Sequence, residues 1–379
     1  MTLDIISKVL CKIIQVSFAV LMLLIAVATI FLDKNLNNAF PNTVTYANGG
    51  YYLVAFIILV VMFFLLRCIL GRSDIGEKSY MVLMWILPLA IFLGWQLPVG
   101  KWIYWFTDNG DFGSIMYAAI GFDNGQTFAD WPYFFRSPNN ANLAIVLSWI
   151  YKVLPNWRYI LLLGAILTNI SAVLVALTVE NVTKNRTASL CALVLAELLM
   201  AMTWRAFLVY TDNYGMIFVA LIVWVYSLEL TERCKMPIIV VLAAVGTFIK
   251  ITVAICFFAI VIHRFCILLN ENGRIGVVFK KVALLGMVSV LVFGLMLFAQ
   301  RSLRKYYGLD LEGKYTASWQ YMFMLGQNSE MYGVYNNSDL QLRNTIVEDA
   351  IRGNRSVDYA NRQCLVEALR RVKCRGGYS

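Results

Sequence analysis

The sequence predicts an all-α, polytopic bundle of transmembrane helices. Of its 379 residues, 60% are hydrophobic and only 14% are charged, whereas a soluble domain carries about 25% charged residues. A soluble fold needs polar residues to cover its surface, so lipid must be the solvent for most of this chain. About nine apolar runs approach the length of roughly 20 residues that a spanning helix needs.

The predicted spans follow one another from the N-terminus. The first comes after Lys8 and Lys12, and its length indicates an uncleaved span, because a signal peptide has a shorter apolar core and a small-residue cleavage site. The seventh and eighth are short and meet at Lys250, where we expect a turn between two helices. The nine predicted spans are 9–32, 51–68, 80–104, 159–180, 188–206, 213–230, 237–250, 252–269 and 282–300.

The apolar segment 141–154 decides the topology. It has only about fourteen residues, too few to span comfortably, and suits a re-entrant or interfacial helix. If it does not cross, thirteen lysines and arginines up to residue 300 lie on one side and seven on the other. If it crosses, the later loops change sides and this excess of positive charge on one side becomes less clear. Because positive loops face the cytoplasm, we expect a non-crossing segment and a cytoplasmic N-terminus.

This topology divides the chain into two parts. Residues 1–300 form the transmembrane module, with a large outer loop at 105–140. Residues 301–379 form a polar extracytoplasmic tail, in which we expect a helix from about 338 to 373. A disulfide between Cys364 and Cys374 is an open alternative if the tail is exported.

Charge and cysteine content exclude some function classes. The net charge of +10 fits short loops in which Lys and Arg orient helices and attract anionic headgroups. No basic stripe interleaves with aromatic residues in a soluble segment, so we expect the lipid bilayer as a partner and no nucleic acid. The eight cysteines and the single histidine, His263, lack the spacing of a zinc site.

Polar residues converge on the outer face in this topology. Charged groups at membrane depth are costly and usually serve a site or a pathway. The residues come from four distant stretches of sequence, and they are Asp108, Asp111, Arg136, Arg205, Asp212 and Lys250. Their convergence is the main functional signal in the sequence.

Two carboxylates in the outer loop are candidates for catalysis. Asp108 and Asp111 are three residues apart, close enough to face one site. A carboxylate there can act as a general base on an acceptor hydroxyl, or the pair can hold a divalent cation such as Mg²⁺ or Mn²⁺. The alternative is an ordinary Asn-Gly-Asp turn.

Cationic residues near the short helix are candidates for anion binding. Arg136 precedes Asn139 and Asn140 at the start of the 141–154 helix, whose N-terminus carries positive dipole character, and the two together suit a phosphate. Lys250, flanked by apolar residues, either snorkels to the headgroups or pairs with a lipid-linked phosphate. Glu197 lies mid-helix and is either functional or part of a helix–helix hydrogen bond.

Four segments follow one another along the chain: DFGSIMYAA (111–119), YFFRSPNNANLAIVLSWIYKV (133–153), YTDNYG (210–215) and GTFIKIT (246–252). In this order they resemble the C-type (GT-C) glycosyltransferases, near the protein O-mannosyltransferase-like branch of bacterial membrane proteins. The tail segment FMLGQNSEMYGVYNNSD (323–339) is also similar to an outer segment of the Gram-positive members. The resemblance covers roughly residues 105–340.

This resemblance implies a GT-C fold in a bacterial cell membrane and an active site at the outer face. The sugar donor would be carried on a polyprenyl phosphate, and the acceptor would be a cell-envelope glycan, teichoic acid or protein. Asp111 matches the loop carboxylate expected to be the base, with Asp108 in support. The expected substrate-binding residues are Arg136, Asn139, Asn140, Arg205, Tyr210, Asp212 and Lys250.

The chain departs from that family's pattern at three points. Ser137 stands where the family has Tyr or His, and Asp108 is an additional carboxylate. Relatives of this kind continue into further spans, so we expect a short or truncated member. No phosphate-binding loop or Gly-x-Gly-x-x-Gly motif is present, and no organic cofactor is expected.

Two other functions use similar sequence features. A polysaccharide polymerase or ligase also combines outer-face arginines with polyprenyl carriers. A lipid-linked-sugar transporter, or flippase, would contain internal repeats and broken helices near mid-membrane. The sequence contains no such repeat, and most of its candidate charges lie near one face.

The predicted topology can be tested by cysteine labelling in intact cells. A cysteine introduced at Asn124 or at Asn337 should react with an impermeant reagent added outside, because both positions are predicted to be extracytoplasmic. One at Asn185 should react only after the membrane is permeabilised. Labelling of Asn185 from outside would mean that 141–154 spans the bilayer.

Overall fold

A computed structural model describes residues 76–100, 110–201, 204–272, 275–309, 318–328 and 337–375. All regular structure in these ranges is helical, which confirms the all-α prediction. The predicted spans 9–32 and 51–68 and the candidate residue Asp108 lie outside the described residues.

The described chain forms thirteen helices, counted with their π-helical continuations. They are α1 (Glu77–Gly100), α2 (Gly110–Asp123), α3 (Pro132–Arg136), α4 (Ala141–Val153), α5 (Trp157–Thr183), α6 (Arg186–Ala196), α7 (Thr211–Ser227), α8 (Glu232–Ile249), α9 (Val253–Asn272), α10 (Ile275–Tyr306), α11 (Trp319–Gly326), α12 (Asn337–Arg352) and α13 (Val357–Arg375). α1 contains a π-helical turn at Phe92–Gln96, and α6 continues into a second one at Glu197–Ala201.

Contacts divide the described residues into two units. The first contains 76–100, 110–134, 139–201, 204–272 and 275–309, and the second contains 135–138, 318–328 and 337–375. α10 runs without a break past residue 300 to Tyr306, and the division between the units falls after Leu309.

Three of the described helices are long and apolar enough to cross a membrane: Glu77–Gly100, Trp157–Thr183 and Leu285–Tyr306. The second is the central one, with 61% of its apolar window buried, whereas the third has no fully buried residue in its window. Exposed side chains such as Val290 and Phe298 give α10 an apolar surface, as expected of a helix that faces lipid. The described residues therefore do not establish nine spans.

The segment 141–154 forms the short helix α4, which has 13 residues. At 1.5 Å per residue, it is about 20 Å long, well short of a hydrocarbon core about 30 Å thick. Its first five residues, Ala141 to Ile145, are all buried within the protein. Backbone that stops within an apolar layer needs such burial, because lipid offers no hydrogen-bond partner.

α8 and α9 are separate helices, as the sequence predicted. α8 ends at Ile249, and Lys250 adopts an extended conformation (φ −143°, ψ 115°) before α9 begins at Val253. The Lys250 amide still donates to the Gly246 carbonyl at 2.8 Å, so the break lies directly after the last helical hydrogen bond. The turn places Lys250 at the end of the bundle.

Charged residues mark the two opposite ends of the first unit. At one end the ion pairs are Lys184–Glu229, Arg186–Glu180 and Arg264–Glu232. At the other end Lys250 pairs with Asp212. The hairpin between α5 and α6 explains this separation: Lys184 ends α5 in the left-handed conformation and the Asn185 side chain caps α6.

The second unit corrects the predicted continuous helix 338–373. The chain instead forms α12 and α13, separated by a turn at Gly353-Asn354 in which Asn354 has φ 45°. The Arg355 amide donates to the Ala350 carbonyl at 2.8 Å, which closes the C-terminus of α12 in the manner of a Schellman-type cap.

A disulfide between Cys364 and Cys374 does not fit α13. Ten helical residues separate these two positions, which places their Cα atoms about 15 Å apart, and a disulfide needs less than about 7 Å. Cys364 is a buried free thiol in a small core with Tyr321, Met324 and Leu342. It is therefore a packing residue of the second unit.

Candidate functional site

The ends of four helices meet at the Asp212 end of the first unit. Asp111 lies in the first turn of α2, Asn140 directly precedes α4, Tyr210 and Asp212 lie at the start of α7, and Lys250 follows α8. These residues were all selected from the sequence as site candidates, and the contacts below join them into one cluster.

The Asp111 carboxylate lies between two tyrosine hydroxyls. The Tyr210 hydroxyl donates to Asp111 Oδ2 over 3.4 Å, and the Tyr133 hydroxyl lies close enough for the Asp111 charge to act on it. Burial raises the pKa of both phenols, and the negative charge of Asp111 raises each pKa further. Both hydroxyls therefore stay protonated at neutral pH, next to a carboxylate that is itself exposed.

Asn140 connects this carboxylate to α7. Its buried amide nitrogen donates to the Tyr133 hydroxyl, and its oxygen accepts from Thr211 Oγ1 at 3.4 Å and from Asn139 Nδ2 at 3.1 Å. An amide has both donor and acceptor groups, so one side chain holds the phenol and the start of α7 in register. Asn139 itself is exposed.

Lys250 is held beside the same cluster. Its Nζ lies 3.0 Å from Asp212 Oδ2 and 5.3 Å from the centre of the Tyr210 ring. The Lys250 side chain is 19% exposed and that of Asp212 is 60% exposed, so the ammonium is partly shielded while its partner reaches solvent. Tyr210 is the shared residue, since it contacts Asp111 through its hydroxyl and Lys250 through its ring.

Close packing fixes the position of Lys250. Gly215 on α7 faces the Lys250 side chain so closely that an added Cβ would lie 2.8 Å from Lys250 Cβ. On the opposite side, Asn142 of α4 donates to the carbonyl of Phe248 at 2.5 Å. Together these contacts attach the break between α8 and α9 to α7 and α4.

A further basic residue, which the sequence did not single out, adjoins the cluster. Arg304, near the end of α10, donates from Nε to Asn142 Oδ1 at 2.8 Å. With its amide oxygen turned toward Arg304, Gln300 accepts from both terminal guanidinium nitrogens, at 3.0 and 2.6 Å. No carboxylate pairs with Arg304 among the described residues, so its charge remains uncompensated beside the start of α4.

Arg304, Asn142 and Tyr133 were missed for different reasons. Arg304 belongs to the basic run Arg301–Lys305 at a helix end, where the sequence does not distinguish one cation from another. Asn142 was the most predictable of the three, because it is a polar residue at the start of an otherwise apolar helix. Tyr133 lies in the segment 133–153, but one tyrosine among neighbouring aromatic residues carries no signal by itself.

Some candidate residues are not placed by the structure. Asp108 and the side chains of Arg136 and Arg205 lie outside the described part of the chain. Within that part, no three carboxylate, cysteine or histidine side chains come together as a metal site would require. The hypothesis of a divalent cation bridging Asp108 and Asp111 therefore stays a prediction.

The arrangement combines three chemical capacities in one place. Asp111 offers an accessible carboxylate that can accept a proton. The two phenols orient that carboxylate and can donate to a bound hydroxyl or phosphate oxygen. Lys250 and Arg304 supply positive charge, which suits an anionic group. Acid–base chemistry on a substrate that carries an anionic group would use all three.

Comparison with known proteins identifies a family but no solved relative. A family model described as "conserved hypothetical integral membrane protein" matches residues 4–361. No curated protein and no solved structure matches the chain.

The packing of Gly215 against Lys250 can be tested by adding one methyl group. Gly215→Ala should lower the stability of the purified protein by about 1–3 kcal/mol, because the new Cβ overpacks the contact. Thermal unfolding in detergent measures this. Gly286→Ala on α10 is the matched control, since nothing lies within 4 Å of its added Cβ. Equal effects of the two substitutions would contradict the described packing.

Proposed function

The chain belongs to the conserved hypothetical integral membrane protein family, and on that premise we propose that its site acts on a membrane-carried substrate as a glycosyltransferase. The donor is a sugar on a polyprenyl phosphate, and the acceptor is a hydroxyl of a cell-envelope glycan, teichoic acid or protein. The observation that carries the proposal is the exposed Asp111 carboxylate, which accepts a hydrogen bond from Tyr210 next to Lys250 and adjoins the Tyr133 phenol.

In the proposed reaction the acceptor hydroxyl attacks the anomeric carbon of the donor sugar. Asp111 takes the hydroxyl proton as the new carbon–oxygen bond forms. The bond from the anomeric carbon to the phosphate oxygen breaks, and polyprenyl phosphate leaves with the electron pair. A single displacement of this kind inverts the configuration at the anomeric carbon.

Lys250 stabilises the phosphate that leaves. A lysine paired with an exposed aspartate is available for exchange, because the donor phosphate can replace or join Asp212 as its partner. Positive charge beside the leaving oxygen lowers the barrier most when it is already in position. The contacts of Lys250 with Gly215 and Tyr210 provide that positioning.

We further propose that this end of the bundle faces outward and that the chain crosses the membrane about nine times. The distribution of positive charge supports this orientation. The cationic residues Lys184, Arg186 and Arg264 lie at the opposite end, and positive charge favours the cytoplasmic side. Polyprenyl-linked sugars and envelope acceptors then meet at the outer surface.

The role of Asp111 predicts a large loss of transfer in Asp111→Asn. A positioned general base contributes typically ~10²–10⁴-fold, and the asparagine is nearly isosteric, so the fold and donor binding should persist. Transfer is measured with purified protein in proteoliposomes that contain polyprenyl-phosphate sugars and a cell-envelope acceptor fraction.

Asp123→Asn serves as the matched control, because Asp123 is an exposed aspartate at the other end of the same helix α2. It should leave transfer unchanged. Asp108→Asn should cost less than Asp111→Asn unless a metal bridges both carboxylates, in which case a chelator should mimic the double variant. Wild-type turnover in Asp111→Asn would remove Asp111 from the mechanism.

Lys250→Met should weaken use of the donor while leaving the fold intact. Loss of one charge-assisted contact costs about 1.5–3 kcal/mol, which is measured as a lower kcat/KM for the donor. Lys152→Met is the control, since Lys152 is an exposed lysine in the last turn of α4. If both variants use the donor as well as the wild type does, Lys250 serves only to pair with Asp212.

A further inference from the structure

A second group of polar residues lies inside the bundle, away from the cluster around Asp111. Gln96 on α1, Asn169 on α5 and Glu197 at the end of α6 are all buried, with exposures of 0%, 6% and 1%. Asn169 lies next to the midpoint of the spanning helix Trp157–Thr183. Ionisable and polar groups at that depth are costly and usually functional.

The register of the helices brings these residues to one level. Near the far end, Arg186 of α6 pairs with Glu180 of α5 at 3.8 Å. Glu197 lies eleven residues further along α6, and Asn169 lies eleven residues back along α5. Eleven residues make about three full helical turns, so the antiparallel pair presents Glu197 and Asn169 on the same facing sides.

The third helix joins at the same level through a direct hydrogen bond. Asn169 Nδ2 donates to Gln96 Oε1 at 2.6 Å and to the carbonyl of Ala165 at 2.8 Å. Both amide hydrogens of Asn169 are thereby used. Its side-chain oxygen remains, and that oxygen can only accept.

Three buried oxygens at this level lack a hydrogen-bond donor. Both carboxylate oxygens of Glu197 and the Oδ1 of Asn169 have no partner in the part of the chain that the structure describes. A buried acceptor without a donor is unfavourable, and a buried charge without a counter-charge is much more so. The helix–helix hydrogen bond that the sequence left open for Glu197 is therefore not formed by any described donor.

Both π-helical turns occur at this polar level. The turn Phe92–Gln96 ends at Gln96, and the turn Glu197–Ala201 begins at Glu197. π-helical turns interrupt the regular backbone hydrogen-bond pattern and occur frequently at functional sites. Irregular backbone within membrane helices also supplies carbonyl oxygens to bound cations.

Among the described side chains, no neighbouring charge compensates Glu197. The helix α1 has no charged residue beyond Lys78, α5 has none between Arg158 and Glu180, and α6 has none between Arg186 and Glu197. The other titratable groups on these helices are Tyr80, which bonds to Glu180 and Ser189 near the far end, Tyr159 at the start of α5, and the Cys191 thiol. On the turn Trp204–Phe207 that packs against Glu197–Ala201, the charged residue is Arg205, whose side chain is outside the described part.

We propose that Glu197, Asn169 and Gln96 form a buried binding site for one monovalent cation, Na⁺ or a proton. A single positive charge neutralises the single carboxylate, whereas a divalent ion would leave net charge in an apolar bundle. Sodium would coordinate the orphaned oxygens, which are hard ligands. A proton on Glu197 would instead donate to Asn169 Oδ1. In either form the cation joins α1, α5 and α6 and stabilises their packing.

The test is thermal unfolding of the purified protein in detergent, followed by tryptophan fluorescence. Sodium replaces choline at constant ionic strength, and the pH is then varied in choline alone. Binding to the folded state raises the Tm with ligand concentration, by about 2 °C for each tenfold increase in sodium above the Kd. If the site holds a proton, sodium has no effect and the Tm falls as the pH rises, because the folded protein retains the proton more tightly.

Glu197→Gln should abolish whichever response the wild type shows. The glutamine amide keeps the volume of the side chain and can donate to Asn169 Oδ1, so the variant should fold without a cation. Glu229→Gln is the matched control, since Glu229 is an exposed carboxylate at the far end, and it should respond as the wild type does. Asn169→Ala keeps the carboxylate but removes one oxygen. If sodium binds, this variant should raise the Kd for sodium about tenfold.

Each outcome decides the proposal. A sodium response that Glu197→Gln removes identifies a sodium site, and a pH response that Glu197→Gln removes but Glu229→Gln retains identifies a proton site. If the wild type responds to neither ion, or if Glu197→Gln responds as Glu229→Gln does, the cation site is excluded. Should Glu197→Gln not fold, an Asn169→Ala response equal to that of the wild type would exclude it as well.

Discussion

A bilayer offers no hydrogen-bonding solvent, and this constraint governs where the chain places its polar groups. Each backbone or side-chain donor and acceptor at membrane depth needs a partner within the protein. The short helix α4 illustrates the consequence, because it begins within the protein, where its first five residues are buried. Asn140 and Asn142 at its start supply the side-chain groups that join it to α7, α8 and α10.

The candidate site follows from this arrangement. A helix that begins inside the protein brings its N-terminus and its flanking asparagines to the level at which other helices end. Asn140 then positions Tyr133 against Asp111, and Asn142 fixes the residue two positions before Lys250. The candidate catalytic side chains are thus held by hydrogen bonds that the helices also need for their own polar groups. The proposed chemistry and the stability of the fold therefore depend on the same contacts.

The sequence predicted those features that depend on length and hydropathy. The break at Lys250 was predictable because two short apolar runs meet there, and two helices joined by a turn fit the thickness of the membrane better than one long helix. The short helix 141–154 was predictable because its apolar run is too short to span. The sequence could not show which helix faces meet, so the contacts of Asn142 with Arg304 and of Tyr133 with Asp111 were missed. The turn at Gly353-Asn354 was missed because the polar residues around it favour helix on both sides, although a glycine followed by asparagine is a regular helix-ending signal.

The two polar levels of the bundle differ in how their charges are compensated. At the end of the helices, Lys250 pairs with Asp212, and Asp111 accepts a hydrogen bond from Tyr210, so these two charged groups have partners before any substrate arrives. At the middle, Glu197 has no partner among the described residues, although the same absence of solvent makes an unpaired charge far more costly there. A paired site can exchange one partner for a substrate, which suits turnover. An unpaired buried carboxylate must instead acquire a positive charge, and so the two levels call for different ligands: an anion at the end of the bundle and a cation within it.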